Sequence, residues 1–279
     1  MGYKNVTSVI TDMETDRFAL AAAIDLARRE HGHLDVICLG VDRTLPGFYY
    51  GGANAVALRE GLAEAQERAL ELERGARATL EGRDLTWTLH AVAAPMSGLA
   101  QMLAHLTRLS DIIVLPRPYG EGRRHEHEAI VESELFDASV PVLVIPDGAG
   151  LPDPIGRIVI AWNESHEALV AVRAALPFLK QAGDVNIAIV NPPPHAPDRS
   201  DPGGALSQML SRHGVKADVS ILAKTLPRVS EVIARHLTDQ GADLLVMGAY
   251  GHSRIRESVL GGATRHMLQT AHIPILMAH

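Results

Sequence analysis

Asp243-Leu244-Leu245-Val246-Met247-Gly248 is a short apolar run between an acid and a glycine, and Asp111-Ile112-Ile113-Val114-Leu115-Pro116 repeats it in the first half. Each follows an amphipathic helical stretch. Apolar runs without polar alternation suit strands buried on both faces, and helical segments between them make βαβ units of a mainly parallel sheet. Working outward, the pattern predicts strands at Val6–Thr11, Leu34–Val41, Trp87–Val92, Asp111–Leu115 and Pro141–Ile145. A second set follows at Arg157–Trp162, Val185–Val190, Asp218–Ala223, Asp243–Met247 and Pro274–Met277. Val140-Pro141-Val142-Leu143 answers Ile273-Pro274-Ile275-Leu276 at the same spacing, to within one residue, as the first pair of runs. The spacing from Asp12 to Asn163 is longer, so the first half holds extra residues, placed in a long helix Ala55–Leu80.

The chain therefore reads as α/β, with two tandem five-stranded, mainly parallel sandwich domains. The first spans 1–148, a Pro/Gly-rich linker covers 149–154, and the second spans 155–279. The two are expected to pack as a pseudo-dimer, since open sheets have edges that need covering and their terminal strands are equivalent. The net charge of −7 argues against a general nucleic-acid or membrane-surface binder. No apolar run approaches the roughly 20 residues of a membrane helix, and the start has no signal-peptide shape, so a cytoplasmic protein is expected. Cys38, the one cysteine, lies inside Val36-Ile37-Cys38-Leu39 and reads as a buried strand residue.

Chemistry concentrates after the Asp243 strand, in Gly248-Ala249-Tyr250-Gly251-His252-Ser253-Arg254-Ile255-Arg256-Glu257-Ser258-Val259-Leu260-Gly261-Gly262-Ala263-Thr264, which leads into a helix at Ala263–Thr270. Ligands of open α/β sheets sit at the carboxyl ends of strands. Glycines let backbone approach an anion, and helix N-terminal amides point outward with partial positive charge. His252, Arg254, Arg256 and Arg265 make the stretch basic in an acidic chain. The spacing is neither a Walker loop nor a G-x-G-x-x-G fingerprint. It is G-x-x-G, nine residues, then G-G-x-T.

This loop resembles that of the universal stress protein family, whose ATP-binding members share G-x-x-G-x9-G-[S/T] after the fourth strand. The resemblance runs along the whole chain and marks it as a tandem member with the adenine nucleotide alpha hydrolase-like fold. It implies an adenine-nucleotide-binding, stress-response regulatory protein, with ATP or AMP as ligand, with or without Mg²⁺. By the same resemblance Ala161, Trp162, Asn163 and Val190 lie near the adenine end. Met247 and Gly248 flank base and ribose, Gly251, Gly261, Gly262 and Ala263 face the phosphates, and Tyr250 and Thr264 complete the nucleotide-binding set. Two positions depart from the pattern: Asn163 stands for an Asp, and Gly262 for a Ser or Thr. A hydroxyl-to-phosphate bond is worth about 1.5–3 kcal/mol, which Thr264 is placed to supply instead.

In the first half the loop is gone. Pro116 stands where Gly248 stands, and Glu128-Ala129 replaces Gly261-Gly262, setting a carboxylate at the phosphate position where it caps the helix. That copy is expected not to bind ATP. His125-Glu126-His127 and His31-Gly32-His33 lack the i, i+4 spacing of helical metal ligands and read as solvated loop histidines, so no metal is expected. Phe48-Tyr49-Tyr50-Gly51-Gly52 reads as an aromatic loop after the second strand. The loop offers no evident general base and no carboxylate cluster, so no catalytic residue is assigned. Three functions stay open: a nucleotide-responsive regulator, a slow ATPase or phosphotransfer enzyme using His252 or Glu257, and a ligand-free scaffold. A homodimer is expected; nucleic acid and membrane are not expected partners.

Overall fold

Why each half forms a sheet is visible in its central strand. β1 (Asn5–Ile10) is buried from Val6 onward and pairs in parallel with β2 (His33–Asp42) on one side and β4 (Ile112–Pro116) on the other. β3 (Thr86–Pro95) adds in parallel outside β2, giving the order β3-β2-β1-β4. The computed structural model describes residues 2–44, 51–192, 201–249 and 262–279. It divides into two compact units, Gly2–Val142 and Leu143–His279, with β5 (Val142–Ile145) beginning at the boundary.

Helices α1 (Arg17–Arg29), α2 (Gly51–Leu80), α3 (Leu99–Thr107) and α4 (His125–Phe136) belong to the first unit. α1 buries Ala19, Ala22, Ala23 and Ala27, small residues that let a helix lie close to a sheet. A Cβ on Gly40 of β2 would run into the Ala65 carbonyl of α2, so that glycine permits the close approach of strand and helix. The second unit repeats the order: β6 (Arg157–Ala161) lies between β7 (Asp184–Val190) and β9 (Leu244–Gly248). β8 (Ala217–Leu222) is outside β7 and β10 (Ile275–Ala278) outside β9, all parallel. Its helices are α5 (His166–Ala174), α6 (Leu176–Leu179), α7 (Gly204–Arg212), α8 (Val229–Gln240) and α9 (Ala263–Thr270).

One side chain holds the same place in both units. Asp111 Oδ2 accepts from the N–H groups of Lys4 and Asn5 at 2.7 and 2.8 Å. Asp243 Oδ2 accepts from those of Gly156 and Arg157 at 2.8 and 2.9 Å. Each carboxylate stands just before the fourth strand and clamps the start of the first, with charge-assisted bonds of about 1.5–3 kcal/mol each. The ten strands fall within three residues of the apolar runs that announce them. The long helix starts at Gly51, so Gly51 and Gly52 are helical and not part of an aromatic loop; residues 45–50 lie outside the described set. Among the described residues, no helix is long and apolar enough to cross a membrane.

Between α3 and α4 a carboxyl is fully buried. Glu134 Oε2 lies 2.5 Å from Thr107 Oγ1, which is 2.9 Å from the Leu103 carbonyl. Thr107 donates to the Glu134 carboxyl. Burial pushes Glu134 up from 4.5 to about 7, with Asp137 adding to the rise and the Thr107 bond opposing it. The folded state holds the carboxyl proton more tightly than the unfolded chain. The contribution is therefore complete below about pH 4.5 and is lost as pH climbs towards 7, at about 1.4 kcal/mol per unit. Urea unfolding at pH 5 and 7.5 is expected to show the parent losing up to ~3 kcal/mol more than Glu134→Gln across that interval; equal losses would contradict a protonated Glu134.

Candidate nucleotide site

Parallel strands end together, so Ala161, Val190, Leu222, Gly248 and Ala278 share the carboxyl edge of the second unit's sheet. Chain order runs outward from β6 through β7 to β8, then returns to β9 on the other side. The crevice at such a reversal, here between β6 and β9, is where open α/β sheets bind ligands. Register sets Ala161 opposite Met247, while Trp162 extends β6 by one bond, its N–H donating to the Ala188 carbonyl at 2.9 Å. Asn163 follows, its Oδ1 accepting from Ser165 N–H at 3.2 Å, and Ser165 caps α5 by accepting from Ala168 N–H at 3.2 Å. The turn carries Glu164 at φ 61°. Val190 ends β7 one strand away, half-buried.

Gly248 has a packing reason as well as a site reason. A Cβ there would stand 2.5 Å from Ala168 N and 2.8 Å from Glu167 C, the backbone of the first turn of α5. Met247 is buried in the sheet, which leaves its backbone, not its side chain, at the edge. Ala249, also buried, donates its N–H to the Ala278 carbonyl, and its own carbonyl accepts from His279 Nδ1 at 2.9 Å. Glu167 is held below the usual carboxylate range by its own backbone N–H, with Ser165, His279 and His166 adding to this. Ser165, Glu167 and His279 were not singled out by sequence; only the serine before a helical run gave a capping signal. Tyr250, Gly251 and Gly261 lie outside the described residues.

The chain leaves β9 at the carboxyl edge, so α9 begins there. Its N-cap is Gly262, with no side-chain cap among the described residues and no acid in the first turn. Ala263 is exposed and Thr264 buried. This is an N-terminus whose amides and dipole suit an anion.

The first unit fills the matching crevice with its own side chains. α4 starts at His125, about a turn and a half before the position equivalent to the start of α9, so helix takes the place of the loop. At its N-terminus the His127 ring accepts from the Arg124 N–H, and Glu126 and Glu128 place acids in the first turn. Glu128 does not cap the helix, as the sequence suggests; it accepts from Tyr119 Oη at 2.7 Å. His127 is buried in α4, not solvated in a loop. Its Nδ1 accepts from Arg124 N–H at 3.0 Å, which leaves the proton on Nε2 to donate to Thr11 Oγ1 at 3.1 Å, and Thr11 donates to Asp16 Oδ2 at 3.1 Å. Burial holds His127 below the usual histidine range, in keeping with a neutral ring. His33 likewise lies in β2, 2.8 Å from Thr88 Oγ1. Among the described residues, no group of three or more His, Cys, Asp or Glu is arranged to hold a metal.

The centre of this plug is Arg123. Its Nη1 meets Asp16 Oδ1 at 2.5 Å and its Nη2 donates to the Thr15 carbonyl at 2.7 Å, with both side chains of the ion pair 2% exposed or less. Arg43 adds a forked contact to Glu126 Oε1 at 2.9 and 2.5 Å. A small pocket lined by Val9, Thr11, Asp16, Leu115, Pro116 and His127 among others has a volume of about 10 Å³, room for about one water. Asp16 and Arg123 escaped the sequence reading because their partners are distant in the chain.

Comparison with known proteins agrees on the fold. The model of the universal stress protein family matches residues 154–279. The chain is 40% identical over 73 residues to universal stress protein Slr1230 of Synechocystis sp., a match that covers 26% of this chain and 24% of that protein's length. A crystal structure of a universal stress protein from Archaeoglobus fulgidus DSM 4304 superposes with a TM-score of 0.71 at 16% identity, over 98% of this chain and 96% of that one. A functionally unknown protein from Pseudomonas aeruginosa PAO1 gives 0.58 at 14% identity, over 99% and 92%. At these identities the structural likenesses concern the fold.

Arg123→Met leaves the Asp16 carboxylate buried without its cation and is expected to cost about 3–5 kcal/mol in urea unfolding, whereas Arg28→Met, at an exposed pair, costs less than about 1 kcal/mol. Equal effects would show that Arg123 is not what fills the crevice.

Proposed function

Taking as premise that residues 154–279 belong to the universal stress protein family, we propose that this chain is an adenine-nucleotide-binding regulator whose second unit alone holds the ligand. A stress-related role is the family's contribution to that reading. The observation that carries it is the contrast between two equivalent helix starts. At α4 the His127 ring takes the N–H of Arg124 and the first turn carries two acids, while α9, among the described residues, has no side-chain cap and no acid in its first turn.

In this reading the backbone amides at Gly262, Ala263 and Thr264 take the phosphates, together with Gly251 and Gly261. The strand ends at Ala161, Trp162, Asn163 and Val190 border the adenine, with Met247, Gly248 and Tyr250 between. Each amide-to-phosphate bond contributes about 1.5–3 kcal/mol. The α9 dipole adds up to about 2 kcal/mol where partly buried. Arg265, in the first turn of α9, raises the local positive charge. The nucleotide, ATP or AMP, then acts by favouring the conformation or partner contact that goes with the filled site.

Titration calorimetry on the full chain is expected to give one adenine nucleotide per chain. Gly261→Val, which pushes a branched side chain towards the phosphates, is expected to abolish binding with the fold retained. Glu128→Ala is expected to leave affinity unchanged. Two sites per chain, or full affinity in Gly261→Val, would overturn the assignment.

A further inference from the structure

The two units build the same turn after their central strand with different side chains. In the first, Asp12 Oδ1 accepts from the N–H groups of Glu14 and Thr15, both at 2.9 Å. In the second, Asn163 Oδ1 accepts from Ser165 N–H at 3.2 Å. The turn needs one oxygen, and a carboxamide provides it as well as a carboxylate. The difference lies in the other terminal atom. On Asp12 it is a second acceptor with negative charge; on Asn163 it is Nδ2, which carries two donors. The orientation of the amide follows from the bond itself, because Nδ2 facing Ser165 N–H would set donor against donor.

Asn163 is exposed at the carboxyl edge beside the β6–β9 crevice. The neighbouring acids do not replace the lost carboxylate in the turn. Glu167 is engaged by its own backbone N–H and by Ser165 at the start of α5, and Glu164 faces solvent. Magnesium in phosphate sites is usually held through one or two protein carboxylates together with ligand phosphates. Among the described residues, Asn163 Nδ2 and the amides of the α9 N-terminus present N–H donors to this edge, and N–H groups cannot ligate a magnesium ion.

We infer that the second unit binds its nucleotide as the metal-free anion, with Asn163 Nδ2 donating to an acceptor on the ligand. The inference rests on the nucleotide reading above and adds to it the charge state of the ligand and the residue that selects it. Asn163→Asp restores the side chain that already serves the Asp12 turn, so the fold is expected to be kept, as circular dichroism would verify.

The test is calorimetry of the full chain with AMP and with ATP, in EDTA and then in excess MgCl₂. For the parent, AMP affinity is expected to agree within about twofold between the two buffers, and magnesium is expected not to tighten ATP binding. For Asn163→Asp, affinity in EDTA is expected to fall about tenfold or more, with part recovered on adding magnesium. A parent that gains about tenfold with magnesium, or an Asn163→Asp variant that binds as the parent does in EDTA, overturns the inference and leaves the nucleotide reading standing. No binding by the parent in either buffer overturns both.

Discussion

In each unit the first strand pairs with the second on one side and with the fourth on the other, and this double pairing decides where a ligand can go. It forces the chain to reverse direction across the sheet, and helices that follow the two central strands diverge, leaving a crevice at their carboxyl ends. Asp111 and Asp243 hold the pairing from the opposite edge, each binding two backbone amides at the start of the first strand. The crevice is thus a product of topology, present in both units before any side chain is chosen.

The units differ in how the crevice is used. In the first, a helix extended towards the strand brings Arg123, Glu126 and His127 over Asp16, Arg43 and Thr11, and charges that would otherwise meet a ligand neutralise one another. Such buried pairs are costly to break but supply little net stability over an apolar filling, so they fix one conformation more than they strengthen it. In the second unit the corresponding helix begins at a glycine with no acid in its first turn, and the strand turn is closed by an amide. One fold thereby carries a closed copy and a copy suited to an anion.

Much of this was legible in the sequence. Apolar runs announced the strands because a parallel sheet buries both faces, and the glycine at Gly248 marked a place where strand and helix backbones approach closely. Pro116 and Glu128 told of a lost loop in the first half. What replaced it was not legible, because the Asp16–Arg123 pair joins residues far apart in the chain and its meaning depends on burial. The same holds for Glu134, an ordinary helical glutamate by sequence whose raised pKa follows from its burial in the fold. His127 looked solvated for a related reason: the extra helical turn that buries it has no periodicity strong enough to extend α4 back to His125.

The proposed nucleotide enters the second crevice and not the first. Hydrogen exchange followed by mass spectrometry, with and without saturating AMP, tests it most directly because it reports location as well as binding. Added protection is expected in peptides covering 157–168 and 244–270, with those covering 5–20 and 112–130 unchanged. Protection centred on Thr11, Asp16 and Arg123 instead would contradict it.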